Sequence, residues 1–433
     1  MNDKLPGFDF IPEKCRGSLV CMRACPTRAI RVRDCKAKVN PKLCIACGEC
    51  IVACPEGAFK THTDKWEDVK KFKYKVAIPS PTLFGQFPLD ISPEDIAQGL
   101  LDIGFDAVHD ASIEFELVNM AIKDYIADYD GVEPLISSAC PVVVRLIQVA
   151  YPEMVKQIIP IEPPREISGR EMKKRVSRET GLPPEEIGAI YITPCTAKMV
   201  SIKQPAENVK SYLDIALSIS DIYNPLLAAI TRRKSSGKQS EKKPGFKIRS
   251  GINLGWALRG GQSLSLKHSN YLSIAHLSNI IRIFDDIEKG KIKGFEFLEC
   301  YACLGGCVGG PLTVDDMYVS SRKILKIISD LKADESEIEK EVRDLYVKGD
   351  YKMRQPVEPR HIESDDISLD EKVQRVIIRD DFNRMLPGLS CGLCGAPSCE
   401  AFAEDVANGE SQPSYCVFLS ADRIDILKKF YDL

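Results

Sequence analysis

Between Tyr74 and Leu331, short apolar runs alternate with longer segments whose apolar residues recur at helical spacing. The runs Tyr74-Lys-Val-Ala-Ile78, Ala107-Val108, Leu135-Ile136, Ala189-Ile-Tyr-Ile192 and Phe295-Glu-Phe-Leu298 read as strands. Pro93 to Ile103, Pro141 to Val149 and Val319 to Leu331 read as helices. Strands alternating with helices predict parallel sheets of the α/β kind. Ligands in such sheets gather outside the carboxyl ends of the strands. Four loops begin where an apolar run stops: Pro79-Ser-Pro-Thr82, Ser137-Ser-Ala-Cys-Pro141, Thr193-Pro-Cys-Thr-Ala-Lys198 and Glu299-Cys-Tyr-Ala-Cys-Leu-Gly-Gly-Cys-Val-Gly-Gly310.

The flanks read differently. Residues 1–70 and 380–433 are short and cysteine-rich, and 71–351 carries the α/β pattern. Residues 352–379 form a charged linker, with prolines at 356 and 359 and the acidic Glu363-Ser-Asp-Asp366, that feeds a helix starting near Asp370. Thr231 to Pro244 is polar and basic enough for a surface loop, with docking of an acidic partner as the less favoured reading.

At 433 residues the chain has room for about three domains of roughly 100–200 residues each. A net charge of −3 and a pI near 6.1 argue against a nucleic-acid surface and for protein or small-molecule partners. The N-terminus has no basic region followed by an apolar stretch, and no run of ~18 apolar residues occurs, so a cytoplasmic location is expected. Seventeen cysteines in short spacings then read as metal ligands rather than disulfides.

Cys140, Cys195, Cys303 and Cys307 supply the four thiolates that a cubane iron–sulfur cluster requires. Pro141 suits the first turn of a helix, which puts Cys140 at its N-terminus, where amide donors favour a thiolate. Pro194 turns Cys195 away from its strand, and Gly305, Gly306, Gly309 and Gly310 allow backbone to approach a bulky inorganic group. Lys198 is the sole ionised side chain of its motif, with an ordinary surface lysine as the alternative.

These three motifs resemble the signatures of the catalytic domain of [FeFe]-hydrogenases. The resemblance implies an α/β hydrogenase catalytic (H-cluster) domain, preceded by an α+β two-cluster ferredoxin domain and followed by a small helical Fe–S domain. It implies that the four cysteines hold a cubane, that Cys307 bridges to a two-iron subcluster with CO, CN and a bridging dithiolate, and that Lys198 bonds a cyanide. Ser80, Pro81 and Thr82 resemble a loop lining the two-iron pocket, and Thr193 and Tyr301 stand where relatives carry methionines. One departure matters as much: Ala139 occupies the position of the family's proton-relay cysteine. The next relay carboxylates fall near Ala111 to Leu117, with Glu116 on a later acid and Ile113 on the inner one. Cys300, beside the third motif, is an unmatched thiol that can substitute as a proton carrier only if it faces the pocket.

Cys44-Ile-Ala-Cys47-Gly-Glu-Cys50-Ile-Val-Ala-Cys54-Pro55 looks like the second half of a two-cluster bacterial ferredoxin, in which Cys44, Cys47 and Cys50 pair with Cys25 while Cys54 crosses to the other cluster. The first half keeps Cys15, Cys21 and Cys25 but has Ser18 where the second ligand belongs. A three-iron cluster, a serine-oxygen ligand and rescue by Cys35 all remain open, and Cys35 as a turn thiol without a role is the favoured reading. Cys391, Cys394, Cys399 and Cys416 resemble a four-cysteine domain of anaerobic electron-transfer proteins and imply one [4Fe-4S] cluster. Zinc is the alternative at both flanking sites.

The missing relay thiol and the extra C-terminal cluster resemble the sensory branch of the family most. That implies slow, reversible cleavage of dihydrogen, with electrons relayed through Fe–S clusters to a redox or signalling partner, a kinase, phosphatase or ferredoxin-like protein. Maturation proteins would insert the two-iron centre. Some of that branch continue into a PAS module, whereas this chain stops at Leu433, so signal output is expected to need another protein. A metabolic hydrogenase with a replacement proton route and a non-catalytic relative of iron–sulfur assembly are the alternatives.

Overall fold

The computed structural model describes residues 7–207, 209–236, 246, 248–331, 335–360, 368–420, 422 and 424. The tip of the basic loop beyond 236 and the acidic run at 363–366 lie outside them. The chain divides into two compact units, one of residues 1–61 with 360–433, the other of 62–359. The cysteine-rich ends, separate domains in the sequence reading, thus form a single unit.

In that first unit β1 (Phe8–Phe10), β2 (Ile30–Arg33), β3 (Lys36–Val39) and β4 (Phe59–Thr61) form two antiparallel pairs, β1 with β4 and β2 with β3. Two five-residue helices, Val20–Ala24 and Glu49–Ala53, follow the ligand loops. The C-terminal helices Leu369–Met385 and Cys399–Ala407 pack together through Phe382 and Phe402. They are tied to the N-terminal segment by polar contacts that cross more than 360 residues of chain. Buried Asp405 accepts from Arg31 Nε at 2.7 Å and from Arg33 at 2.8 Å, and the Val32 amide donates to the Gly395 carbonyl at 2.9 Å.

The second unit holds two parallel sheets. One, in the order β6-β5-β8-β9, joins Ala107–Val108, Tyr74–Pro79, Ile187–Thr193 and Ile215–Ser218. The other, in the order β10-β11-β7, joins Tyr271–Ala275, Phe297–Tyr301 and Leu135–Ile136. Every residue of β8 is buried, as expected of a central strand covered on both faces, and its Ile-Gly-Ala-Ile-Tyr-Ile sequence is the near-continuous apolar run that such a place demands. Ile190 and Ile192 face one apolar core with Leu217 and Phe84, while Ala189 and Tyr191 face another with Val76 and Met172. Each fully buried side chain of this kind contributes ~1.5–3 kcal/mol.

Predicted elements fall within a few residues of the observed ones: helices occupy Pro93–Asp102, Pro141–Ala150 and Met317–Asp330, and the C-terminal helix starts at Leu369. One strand is displaced. Placed at 295–298 from its apolar residues, β11 runs from Phe297 to Tyr301, because Glu299, Cys300 and Tyr301 are all buried and pair with β10. Among the described residues no helix is long and apolar enough to cross a membrane.

Candidate active site and iron–sulfur sites

The loops after β5, β7, β8 and β11 meet at the carboxyl ends of the two sheets. Cys140 precedes the helix Pro141–Ala150 as its N-terminal flanking residue, with Pro141 in the first turn as expected, and its carbonyl accepts from Val143 and Val144 at 3.0 and 3.1 Å. Serines fix the approach: Ser137 Oγ donates to Gln262 Oε1 at 2.7 Å, and Ser138 Oγ donates to the Ile161 carbonyl at 2.8 Å. Cys195 flanks the helix Thr196–Lys203 in the same way, its amide donating to Thr193 Oγ1 at 3.2 Å.

The glycines of the third motif are required sterically. Gly306 has φ +101°, and a Cβ there would lie 2.6 Å from the Ala257 carbonyl oxygen and 2.7 Å from the Arg259 amide. A Cβ on Gly310 would meet the Pro194 carbonyl oxygen. The loop carrying Cys303 and Cys307 therefore lies directly on two other backbone segments.

Cys140, Cys195, Cys303 and Cys307 line one cleft, with Lys198, Tyr301, Ser80, Pro81 and Ala139. The cleft encloses about 740 Å³ of space, open solvent included. Lys198 Nζ donates to Cys307 Sγ at 3.3 Å. Burial opposes the Lys198 charge, but the negative charge of Cys307, Tyr191 and Cys195 in their ionised forms outweighs it and raises the ammonium pKa above its ordinary value. Burial pushes the Cys195 thiol up to about 11 against the pull of Lys198, and raises Cys140 against the amides of Ala302 and Val143. Helix-end donors alone therefore do not ionise Cys140.

Not every expected residue reaches the cleft. Thr193 is fully buried and its hydroxyl serves the Cys195 turn, and Thr82 is also buried behind the wall, so neither lines the cleft. Tyr301 does, with its hydroxyl donating to the Trp256 carbonyl at 2.9 Å. Cys300 is buried and does not line the cleft, and burial together with Cys140 and Glu299 raises its thiol pKa. Glu116 accepts from Ser250 and Asn253 at 3.0 and 2.9 Å, and Ile113 sits in an apolar core. Phe115, Trp256, Tyr191 and Arg165 line the cleft without belonging to any chemical motif, which is why sequence reasoning missed them.

In the other unit Cys25, Cys44, Cys47 and Cys50 line one cavity of about 340 Å³. Burial raises both Cys47 and Cys50, and neighbouring Cys44 and Cys25 add to each. Cys21 is pushed up to about 11 by burial and by Cys54 and Cys15, which places those three together. Ser18 is exposed, and exposed Cys35 occupies the β2–β3 turn with φ +57°. Cys391, Cys394, Cys399 and Cys416 line a third cavity of about 320 Å³. No group of three or more His, Cys, Asp or Glu among the described residues is arranged to hold a single metal ion. Four soft thiol donors ringing a cavity are a donor set and a shape that fit a cluster at each of these three places.

The family model described as "Iron only hydrogenase large subunit, C-terminal domain" matches residues 73–267 and 226–311, more than half of the chain. The chain belongs to this hydrogenase family. A 4Fe-4S dicluster domain matches residues 9–55, and a model described as "Putative Fe-S cluster" matches 386–418. The NADP-reducing hydrogenase subunit HndD of Solidesulfovibrio fructosivorans is 22% identical over 330 residues, 62% of this chain and 55% of that one. Iron hydrogenase 1 of Clostridium pasteurianum is 24% identical over 52% of this chain and 46% of its own length. The cytosolic Fe-S cluster assembly factor NAR1 of Scheffersomyces stipitis is 24% identical over 43% and 38%. The chain thus spans about half the length, or less, of the curated relatives it matches. A solved structure of [FeFe]-hydrogenase HydA1 from Chlamydomonas reinhardtii aligns with a TM-score of 0.46 and 16% identity, over 68% of this chain and 93% of that one. This hydrogenase-family chain is an iron–sulfur protein.

Proposed function

We propose that the chain is a slow dihydrogen-sensing member of the iron-only hydrogenase family. Cys140, Cys195, Cys303 and Cys307 would hold a cubane there, with Cys307 shared with a two-iron group. When bound, that group supplies the redox chemistry of the reaction, in which one dihydrogen gives two protons and two electrons. Lys198, buried and cationic beside Cys307, would neutralise anionic ligands. Apolar Phe115, Trp256 and the prolines at 81, 141, 163 and 164 would keep bulk water out. The cleft has more than twice the volume of either flanking cysteine cavity, which supports an occupant larger than one cubane.

The observation that carries the slow, sensory reading is Ala139. It lines the cleft with an intact set of cysteines around it, yet its methyl packs against an apolar cluster and can carry no proton. Removing a positioned proton carrier costs ~100- to 10,000-fold in rate. Signal would pass as electrons through the ferredoxin-type and C-terminal clusters to a partner protein. The retained cleft favours this reading over an assembly factor without a two-iron centre.

Infrared spectroscopy after loading the two-iron group tests it. Intrinsic CO and CN bands that respond to dihydrogen are expected, with Ala139→Cys raising turnover ~100- to 10,000-fold. Wild-type turnover already equal to that of Ala139→Cys would remove the sensory assignment, and absence of the bands would leave the assembly reading.

A further inference from the structure

A second cavity of about 560 Å³ lies beside the cysteine cleft, and Pro141, Pro163 and Arg165 line both. Its walls are polar where those of the cleft are apolar: Ser138, Glu162, Glu166, Ser201, Arg145 and Arg354 contribute. Arg165 spans the boundary. Its guanidinium donates to the Ala139 carbonyl at 3.5 Å and to Ser201 Oγ at 3.3 Å, while Nε, buried and without a hydrogen bond, lies 3.7 Å from Glu166 Oε1. Ala139 thus has two unlike sides. One packs against the apolar cluster that holds the edge-to-face pair Phe115 and Trp256, with ring centroids 5.1 Å apart, and Glu116, next to Phe115 in the sequence, is held by Ser250 and Asn253. Towards Arg165 the path is lined by donors and acceptors.

Resting on the hydrogenase reading above, we infer that protons leave the cleft of this chain through the arginine- and glutamate-lined cavity, with Glu162 as the carboxylate that receives them. A proton released in the cleft passes to water on the Arg165 guanidinium face and then to a carboxylate oxygen of Glu162, which later returns it to solvent. Arg165 stays charged throughout and acts as a positioning residue, orienting that water.

Glu162 suits the task. It is 5% exposed and faces Arg170 and Arg354, each 3.3 Å away, with Glu166 nearby and Arg145, Arg165 and Glu207 around the same cavity. Burial, the largest influence, and Glu166 outweigh the two facing arginines and push its carboxyl up to about 7. An acceptor must be ionised, so rising pH through that value increases proton uptake from the cleft and favours dihydrogen oxidation. Falling pH fills Glu162 and favours the reverse direction.

The test has two arms on the full chain. Infrared pH titration with carbon-13-labelled glutamate, before the two-iron group is loaded, is expected to show a carboxyl titrating near neutral pH that Glu162→Gln abolishes. The absence of such a carboxyl overturns the inference. In loaded protein, Glu162→Gln is expected to keep the CO and CN bands and to slow hydrogen–deuterium exchange between dihydrogen and heavy water ~100-fold. Glu162→Asp should retain most of the rate. Intact bands with an unchanged exchange rate in Glu162→Gln overturn the exit alone. Missing bands in wild type remove the hydrogenase reading and the exit with it.

Discussion

Gly306 shows how much a single residue constrains the cleft. Its positive φ is available to glycine without penalty, and the space a methyl would take is filled by backbone of residues 257 and 259, which cannot swing aside as a side chain could. Gly306→Ala is expected to push the Cys303–Cys307 loop off that backbone and move both thiols. The measurement is iron content and the cubane electron-paramagnetic signal of anaerobically reconstituted protein, in which the variant should lose about four irons. Retention of the full iron content would mean that the loop relaxes locally. Burial adds a second constraint at this scale. The Cys140 and Cys195 thiols are raised without metal, so assembly must release their protons, and cluster loading should slow as pH falls.

At the scale of elements, much of the architecture was legible because the signals are local. Apolar runs marked the strands β5 to β8, Pro93 and Pro141 marked helix starts, and cysteine spacing marked three ligand groups that line three cavities. What stayed hidden depends on contacts between distant segments. Thr193 left the cleft because its hydroxyl is taken by the Cys195 amide, and β11 slid two residues because buried Cys300 and Tyr301 behave as strand residues despite the motif around them. The attachment of the C-terminal helices was equally invisible, since nothing local distinguishes Asp405 from an exposed acid. In the structure it is buried against Arg31 and Arg33, whose side chains remain about one-fifth exposed. Removing one member of a buried charge group costs ~3–5 kcal/mol, and the partial exposure of the arginines discounts that to ~2–3 kcal/mol. Asp405→Ala is therefore expected to make the segment 391–416 an early target of limited proteolysis while β8 and its neighbours stay protected. Wild-type cleavage kinetics would show that Arg31 and Arg33 contribute nothing to the attachment.

At the scale of the molecule, the two chain ends build one unit around three groups of cysteines. The loop from Cys391 to Cys394 rests on the helix that carries Cys21: a Cβ on Gly392 would lie 3.1 Å from Met22 Cε, and Arg23 donates to the Cys391 carbonyl at 3.1 Å. Gly395 is closer still, its φ of +82° and its contact with the Val32 carbonyl leaving no room for a side chain. Such packing makes the ends thermodynamically interdependent, because opening one exposes Met22 and Val32 of the other, both buried in the assembled unit. Gly395→Val should uncouple them. In hydrogen exchange of the intact, cluster-loaded chain, amides of β2 and of the helix Cys399–Ala407 are expected to lose protection together and by similar factors in the variant, while β5 and β8 of the other unit keep theirs. Loss confined to the neighbourhood of residue 395 would show that the two ends fold as independent modules that merely touch, and the C-terminal cysteines would then belong to an appendage rather than to the ferredoxin-like unit.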